Sequence, residues 1–212
     1  SDLVALCEDK ILRILANKDA VYNADGDSQL TSTNNVLGQT IPFGGEYGIS
    51  KNPESFASES YRVYFTDKVR GAVMRLSKDG LTPISDAGMK DYFKDNLKNN
   101  DLLIGSYDDK KDEYNLTLPI TGTTVSFKED VRGWVSFKSF VPDNAISCAN
   151  DYFTVKDGKL WKHHDENVGR NTFYNLFDSN HYSTINVILN DMPSSIKSYH
   201  TLDYEGSQSR VE

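Results

Sequence analysis

Short apolar segments separated by charged or Gly-containing turns run along most of the 212-residue chain. The segments are rich in Val, Ile, Leu, Tyr and Phe and mostly lack the 3.6-residue period of an amphipathic helix, so they indicate β-strands. Five pairs of segments are predicted as antiparallel hairpins: 3–7 with 11–15, 62–65 with 71–76, 102–107 with 114–118, 124–127 with 133–137, and 152–155 with 159–162. The chain is therefore predicted to be mainly β.

The rest of the chain predicts one short helix, one long loop and two further strands. Asp86 is the expected helix N-cap, and Met89, Tyr92, Phe93 and Leu97 fall at spacings that place them on one apolar face. Residues 21–53, rich in Asn, Asp, Ser, Thr and Gly, are predicted as a long loop. Near the C-terminus, 183–190 and 196–202 are predicted as strands separated by a turn that contains Pro193.

Two of the hairpins contain similar sequences, 65–73 and 127–135, which share Phe, Val-Arg-Gly and Val at the same offsets. This similarity fits either a structural repeat or a chance recurrence of an Arg-Gly pair. In both copies Gly71 and Gly133 are expected to supply a positive φ or a bulge at the end of the turn. Arg70 and Arg132 are expected to shield the sheet edge or to pair with the acidic turn.

Hairpins repeated at irregular spacing fit the blades of a β-propeller. At about 40 to 45 residues per blade the chain has room for four or five blades. We expect an incomplete propeller with a sandwich-like C-terminal part. The predicted division is a hairpin part over residues 1–122, with the long loop and the helix, and a second β part over 123–212 that continues from the first or stands apart.

Charge and composition exclude several function classes. The net charge of -8 and pI near 5.0 argue against nucleic-acid or anionic-membrane binding, and no cluster of Lys and Arg occurs. No apolar run reaches the roughly 18 residues that span a bilayer, so no membrane insertion is expected. The start at Ser1 and the polar end at 206–210 suggest a segment of a longer polypeptide.

The densest group of potential metal ligands is His163-His164-Asp165-Glu166. Adjacent residues on a strand point to opposite sides, so this spacing does not match the helical HExxH arrangement, and an exposed polar loop is the preferred interpretation. His181 and His200 are isolated and are expected to be surface or packed residues.

Other catalytic patterns are missing from the sequence. Asp108, Asp109, Asp112 and Glu113 surround two lysines and are interpreted as a solvated hairpin tip, with no carboxylate pair selected for glycoside hydrolysis. No GxSxG, Walker-type or GxGxxG motif occurs, and Cys7 and Cys148 are expected to be buried or idle thiols, Cys7 inside an apolar strand. We therefore expect no cofactor and assign no catalytic, cofactor-binding or metal residues.

Aromatic residues are dense in the second half of the chain, and a stretch of this kind stacks sugars or bases in some proteins. On strands it is more often core or subunit contact, which is the preferred interpretation. The residues are Trp134, Phe137, Phe140, Tyr152, Phe153, Trp161, Phe173, Tyr174 and Phe177.

Longer stretches of the sequence go beyond generic pattern. Residues 47–56, 64–80 and 82–93, together with 190–194 and 199–210, resemble large virion structural proteins of tailed bacteriophages. The resemblance covers most of the chain. Among these virion proteins, the chain is similar to the nozzle or muzzle proteins of short-tailed and crAss-like phages. The resemblance implies a virion tail component, made in the bacterial host cytoplasm, and some of these proteins contain propeller-like domains. The resemblance supplies no active-site residues.

The expected function is therefore that of a structural tail component, not an enzyme, which assembles with other tail proteins into an oligomer. Binding would rest on buried area and complementary charge. The alternative is a carbohydrate-binding or carbohydrate-degrading domain that contacts the host surface through Trp134 or Trp161 with a nearby carboxylate. The candidate assembly contacts are Arg70, Gly71, Arg132, Gly133, Trp134 and Trp161.

Overall fold

The computed structural model describes residues 2–23, 25–169, 171–174, 183–190 and 192–201. Within these residues the strands are β1 (Leu3–Leu6), β2 (Ile11–Tyr22), β3 (Ser28–Pro42), β4 (Ala57–Ser58), β5 (Val63–Asp67), β6 (Ala72–Ser77), β7 (Gly80–Pro83), β8 (Ile104–Asp108), β9 (Glu113–Leu118), β10 (Thr123–Lys128), β11 (Gly133–Lys138), β12 (Asn144–Cys148), β13 (Asp151–Lys156) and β14 (Lys159–Lys162). One α-helix, α1 (Lys90–Asn96), lies between β7 and β8, and 3₁₀ turns form at Pro53–Ser55 and Ile84–Asp86.

All described strand pairings are antiparallel and join neighbours in sequence. They form a first sheet of β1–β3, a second of β4–β7, a third of β8–β11 and a fourth of β12–β14. The mainly β prediction is confirmed. All five predicted hairpins are present, as β1–β2, β5–β6, β8–β9, β10–β11 and β13–β14.

The first sheet extends into a two-stranded ribbon where the sequence predicted a loop. β1 pairs with residues 11–14 of β2, and the remainder of β2 pairs with β3 alone. The loop prediction for 21–53 is wrong, because Ser28–Pro42 is a strand. Most β3 side chains are exposed, so the strand has no buried face and its sequence shows no alternation of apolar and polar residues.

Four hairpins of the second and third sheets share one turn plan. Each has four residues between its last paired positions, and the fourth has a positive φ: Gly71, Asp112, Gly122 or Arg132. The prediction for Gly71 is confirmed. Gly133 does not have the predicted positive φ, because the pairing of that hairpin starts one residue earlier and places the positive φ on Arg132. The alternative prediction, a bulge, finds a register shift at Val135, two residues after Gly133.

The second sheet is covered on both faces, which explains why most residues of β5 and β6 are buried. Tyr64 of β5 stacks on Tyr114 of the third sheet with ring centroids 4.8 Å apart. The next residue, Phe65, points to the other face and packs in a core that includes Ile11 of the first sheet. Alternate residues of one strand therefore serve two different cores.

The third and fourth sheets also pack together, through polar contacts as well as rings. The Tyr152 and Ser106 hydroxyls lie 2.8 Å apart in a buried hydrogen bond, and the Ser147 hydroxyl donates to the carbonyl of Tyr107 at 2.7 Å. Sheets of three or four strands stacked in chain order are the units a propeller requires. The propeller arrangement itself stays a prediction.

Helix α1 presents the apolar face that the sequence predicted. Phe93 and Leu97 are buried in the core between the second and third sheets, and Met89 and Tyr92 pack against that core. The predicted N-cap is wrong: Asp86 ends a 3₁₀ turn, and Met89 takes the cap position without a side-chain hydrogen bond. Gly88, with φ +80°, separates the two, and a left-handed residue cannot continue a helix.

Residues 1–181 and 182–212 form two separate contact units. In the second unit, the predicted strands are wrong for the described residues 183–190 and 196–201, which have no strand pairing. Their β-branched residues are exposed, as at Ile188 and Ile196, because no neighbouring strand within the described part of the unit supplies partners for the backbone. Leu202 and His181 lie outside the described residues.

The predicted division at residue 122 falls between β9 and β10, which pair within the third sheet. The two predicted parts are continuous at this point, and the division into domains stays a prediction. Among the described residues, no helix combines the length and apolarity needed to cross a membrane.

Candidate functional site

The first candidate contact, the hairpin tip at Arg70 and Gly71, has contacts within the molecule. The Arg70 guanidinium donates to the carboxylate of buried Asp67 at 3.1 Å, as the predicted pairing with an acidic turn requires. Asp67 also accepts hydrogen bonds from the Gly48 amide and the Ser50 hydroxyl. A Cβ added to Gly71 would lie 2.7 Å from the Cα of Lys94, so this tip packs directly on α1.

The second candidate tip, at Arg132 and Gly133, borders a groove of about 660 Å³ between the second and third sheets. The Arg132 side chain is exposed and forms no hydrogen bond or ion pair with any described residue. Beside it, Glu129 accepts hydrogen bonds from Arg75 at 2.7 Å and from Tyr64 at 2.8 Å. Burial, followed by the bond to Glu129, raises the pKa of Tyr64, which keeps its phenol protonated as the donor.

Trp134 is a core residue and not an exposed platform. Its ring packs on Phe93 at 4.5 Å between centroids and on Phe127 at 5.4 Å. Its indole N–H donates to the carbonyl of Ile84 at 3.0 Å, which ties β11 to the 3₁₀ turn before α1. The preference for core over sugar stacking fits this residue.

Trp161 lies in a different setting. On one face of the fourth sheet, β13 and β14 carry Thr154 directly opposite Trp161, and His163 follows on the same side with its Nε2 2.8 Å from the Thr154 hydroxyl. The Trp161 ring contacts that of Tyr174 at 5.5 Å, and Tyr174 donates to the Thr154 hydroxyl at 3.2 Å. The chain after β14 thus folds back over the fourth sheet.

This return of the chain encloses a pocket of about 590 Å³, called the aromatic pocket below. Its lining includes Ser136, Phe140, Tyr152, Trp161, His163, His164, Asp165, Phe173 and Tyr174, with Asp108 and Lys138 at its polar side. Phe140 and Tyr152 are buried, and the other aromatic rings are partly exposed. The sequence predicted an aromatic cluster here but did not predict a pocket.

Asp108 is buried and lines the aromatic pocket, which corrects its assignment to a solvated hairpin tip. Its carboxylate accepts hydrogen bonds from the backbone of Lys110 and Lys111 and lies 2.6 Å from His164 Nε2. Burial acts to raise the pKa of Asp108, but the His164 hydrogen bond, the His164 and Lys138 charges and the Lys111 amide outweigh it and lower the pKa. The carboxylate therefore stays ionised at neutral pH.

His163 occupies the interior of the same cluster, so the expected exposed loop applies to Asp165 and Glu166 and not to the two histidines. Burial, and then the neighbouring His164, lower the pKa of His163 to about 4. His163 bonds to Thr154 while His164 bonds to Asp108, so the adjacent rings turn to different partners. Among the described residues no three His, Cys, Asp or Glu side chains are grouped to hold a metal ion.

The two cysteines are free. Cys7 lies just after β1 and is partly exposed, so its placement inside an apolar strand was wrong, and Cys148 ends β12 and is exposed. Two network residues, the buried Asp108 and the partly exposed Glu129, were not predicted from the sequence. For Asp108 a signal exists: Asp67 and Asp108 both end a strand before a four-residue turn, and both carboxylates accept turn amides.

Residues 23–158 match the family described as Crassvirus muzzle protein, and this range is well over half of the chain. The chain belongs to the Crassvirus muzzle protein family. The predicted resemblance to phage muzzle proteins is confirmed, and the muzzle family gives the chain a structural role in the virion with other phage proteins. The matched range includes β3 and all of the second and third sheets. A search of curated proteins found no match.

Proposed function

We propose that this muzzle-family chain is a tail assembly subunit that acts through contacts with neighbouring subunits and catalyses no reaction. The family match is the observation that carries the proposal. The absence of catalysis is supported by the pairing of its buried carboxylates: Asp67 is held by turn donors and Arg70, and Asp108 by turn amides and His164.

The ribbon formed by β2 and β3 is the surface best suited to an assembly contact. Its outer part exposes large apolar side chains on both strands, Val21 and Tyr22 on β2 and Leu30, Val36 and Leu37 on β3. β3 contains no charged residue over its fifteen positions. Protein edges that avoid pairing are usually protected by charges or Pro, so a long uncharged edge favours contact with another chain.

The ribbon proposal is tested with the double variant Leu30→Lys, Val36→Lys, both side chains being exposed. We expect reduced oligomer formation by light scattering, and reduced incorporation into phage particles, with unchanged unfolding stability. The matched control is Tyr61→Lys, because Tyr61 is 83% exposed but lies outside the ribbon. Normal assembly of the ribbon variant would overturn the ribbon's role.

Arg132 is the second proposed contact, since its exposed guanidinium is free of described partners and can pair with a carboxylate on another subunit. Arg132→Glu is expected to weaken assembly more than Arg132→Lys, because it reverses the charge. The control is Lys111→Glu at another hairpin tip, where the side chain is also exposed. Equal assembly of all three variants would contradict the assignment.

We also propose that the second, third and fourth sheets are successive blades of an incomplete propeller. Neighbouring subunits would cover the sheet faces that the missing blades leave open. The stacking of Tyr64 on Tyr114, between the second and third sheets, and the hydrogen bond between Tyr152 and Ser106, between the fourth and third, support this arrangement. Electron cryomicroscopy of the intact particle tests it, through the arrangement of the sheets around an axis and the identity of the neighbouring subunits.

A further inference from the structure

We propose that the aromatic pocket is a binding site for a neutral saccharide. Its lining comes from the third and fourth sheets and the chain after β14, and Arg132, the proposed assembly contact on the third sheet, is not part of it. The ribbon of β2 and β3 contributes no residue to it.

The walls of the pocket fit the apolar face of a sugar ring. Trp161 and Tyr174 meet at a steep angle, 66° between ring planes, and Phe173 lines the same pocket. Aromatic faces carry negative electrostatic potential and attract the weakly positive C–H groups of a pyranose. A pocket of about 590 Å³ has room for one or two sugar rings.

The polar groups of the pocket offer both donors and acceptors. The indole N–H of Trp161 is buried with no hydrogen-bond partner among the described residues, and the Ser136 hydroxyl also has none there. Asp165 adds an exposed carboxylate at the rim, where one oxygen is bonded to Asn167. Sugar hydroxyls donate and accept, so a saccharide can satisfy this mixed set.

The charges of the pocket favour a neutral ligand over an anionic one. Each lining lysine already has a carboxylate partner, Lys138 with Glu113 at 2.6 Å and Lys162 with Asp151 at 2.5 Å, and the His164 ring is bonded to Asp108. No free cation of the lining remains, among the described residues, to bind a phosphate or a sialic acid carboxylate. Because Asp108 is engaged on both sides, the pocket also lacks the pair of free carboxylates that hydrolysis needs, and the inference is binding alone.

The test is saturation-transfer NMR with the full chain and a panel of neutral sugars: glucose, galactose, mannose, N-acetylglucosamine, maltose and cellobiose. Sialic acid and glucose 6-phosphate serve as anionic comparators. We expect at least one neutral sugar to bind and the two anions to bind more weakly. Absence of binding by every neutral sugar, or tighter binding of the anions, would overturn the proposal.

Variants locate the site. Trp161→Ala is expected to lower the affinity for the sugar by at least about tenfold, which corresponds to about 1.4 kcal/mol of binding free energy. Trp161→Phe keeps a ring and loses the N–H, so it should lie between wild type and Trp161→Ala; it also decides the question if the alanine variant fails to fold. Tyr61→Ala removes an aromatic ring outside the pocket and should bind normally. Unchanged affinity in folded Trp161 variants would show that the sugar binds elsewhere and would refute the assignment of the pocket. This result does not depend on the outcome of the assembly experiments.

Discussion

At the scale of single residues, the positive-φ turn positions differ in how closely the rest of the molecule approaches them. Gly71 and Gly122 both end a four-residue turn, with φ of +68° and +72°. An added Cβ at Gly122 meets nothing within 4 Å, whereas at Gly71 it would lie 2.7 Å from the backbone of Lys94. Substitution of Gly122 therefore reports the cost of a side chain at positive φ alone, whereas substitution of Gly71 adds the cost of a clash with α1.

Gly71→Ala is expected to destabilise the protein more than Gly122→Ala. Both variants place an alanine Cβ at a positive φ, which costs about 1–2 kcal/mol. Gly71→Ala adds about 1–3 kcal/mol, because α1 must move away from the turn. Urea unfolding of the two variants measures the difference. Equal stabilities would show that α1 does not rest on this turn.

Glu129 stabilises the groove between the second and third sheets through its bonds to Arg75 and Tyr64. Glu129→Gln keeps the size of the side chain but removes the charge that faces Arg75 and Tyr64. We expect a loss of about 1–3 kcal/mol in the free energy of unfolding, since donors in the groove lose a charged acceptor. Asp130→Asn, at the next, exposed position, is the control and should change stability by less than about 0.5 kcal/mol. A neutral Glu129→Gln would mean that the groove network adds nothing to stability.

The sequence could predict a conformation that depends on neighbouring residues alone, such as the positive φ of Gly71 in its turn. It could not predict roles that depend on a distant partner. Asp108 is joined to His164, 56 positions away, and Glu129 to Tyr64, 65 positions away. Trp134 and Trp161 are both tryptophans on strands with similar sequence patterns. Trp134 nevertheless packs on α1, whereas Trp161 lines a pocket.

At the scale of elements, β3 shows why strand prediction from alternation fails at an edge. Thr, Asn, Ser and Gln fill most of its positions, and its pairing to β2 is interrupted, since residues 33–36 have no partner there. The strand is held by its backbone, and Gly38 permits the closest approach: a Cβ there would lie 2.2 Å from the carbonyl oxygen of Lys18. The five predicted hairpins, in contrast, have buried apolar residues and short turns that define them locally.

Gly38→Ala is accordingly expected to open the ribbon without unfolding the rest of the protein. The added methyl group cannot fit between the strands, so amides of β2 and β3 near this position should exchange faster with deuterium. Amides of β8–β11 should keep their protection. Gly44→Ala, where the added Cβ meets nothing within 4 Å, is the matched control. Unchanged exchange in the Gly38 variant would contradict the close pairing of the strands.

At the scale of the whole molecule, the sheets are joined by both apolar and polar contacts, and the two kinds respond differently to pH. The core between the second and third sheets consists of aliphatic side chains and the rings of Phe and Tyr residues. The junction of the third and fourth sheets includes Asp108, bonded to His164, and His163, bonded to Thr154, and the pKa values of Asp108 and His163 are both lowered. Acid should therefore weaken the attachment of the fourth sheet before it affects the rest of the core.

His163 is expected to make the stability of the protein depend on pH. Its pKa is about 4 in the folded protein and about 6.5 when unfolded, so between these values the unfolded chain binds more protons. Stability should be highest above pH 6.5 and fall toward pH 4, by up to about 3 kcal/mol from this residue. Asp108, whose pKa is lowered, loses its contribution only at lower pH, below its ordinary value.

Urea unfolding of wild type and His163→Phe at pH 7.5 and 4.5 isolates this contribution. Phenylalanine keeps a ring beside Phe140 and Tyr152 but cannot take up a proton, and Thr154 retains its hydrogen bond with Tyr174. The variant should therefore lose less stability than wild type on acidification, while His200→Gln, at an exposed position of the other contact unit, should follow wild type. Equal losses in wild type and His163→Phe would mean that His163 takes up a proton in the folded cluster as easily as in the unfolded chain, and that it gives the junction of the third and fourth sheets no acid sensitivity.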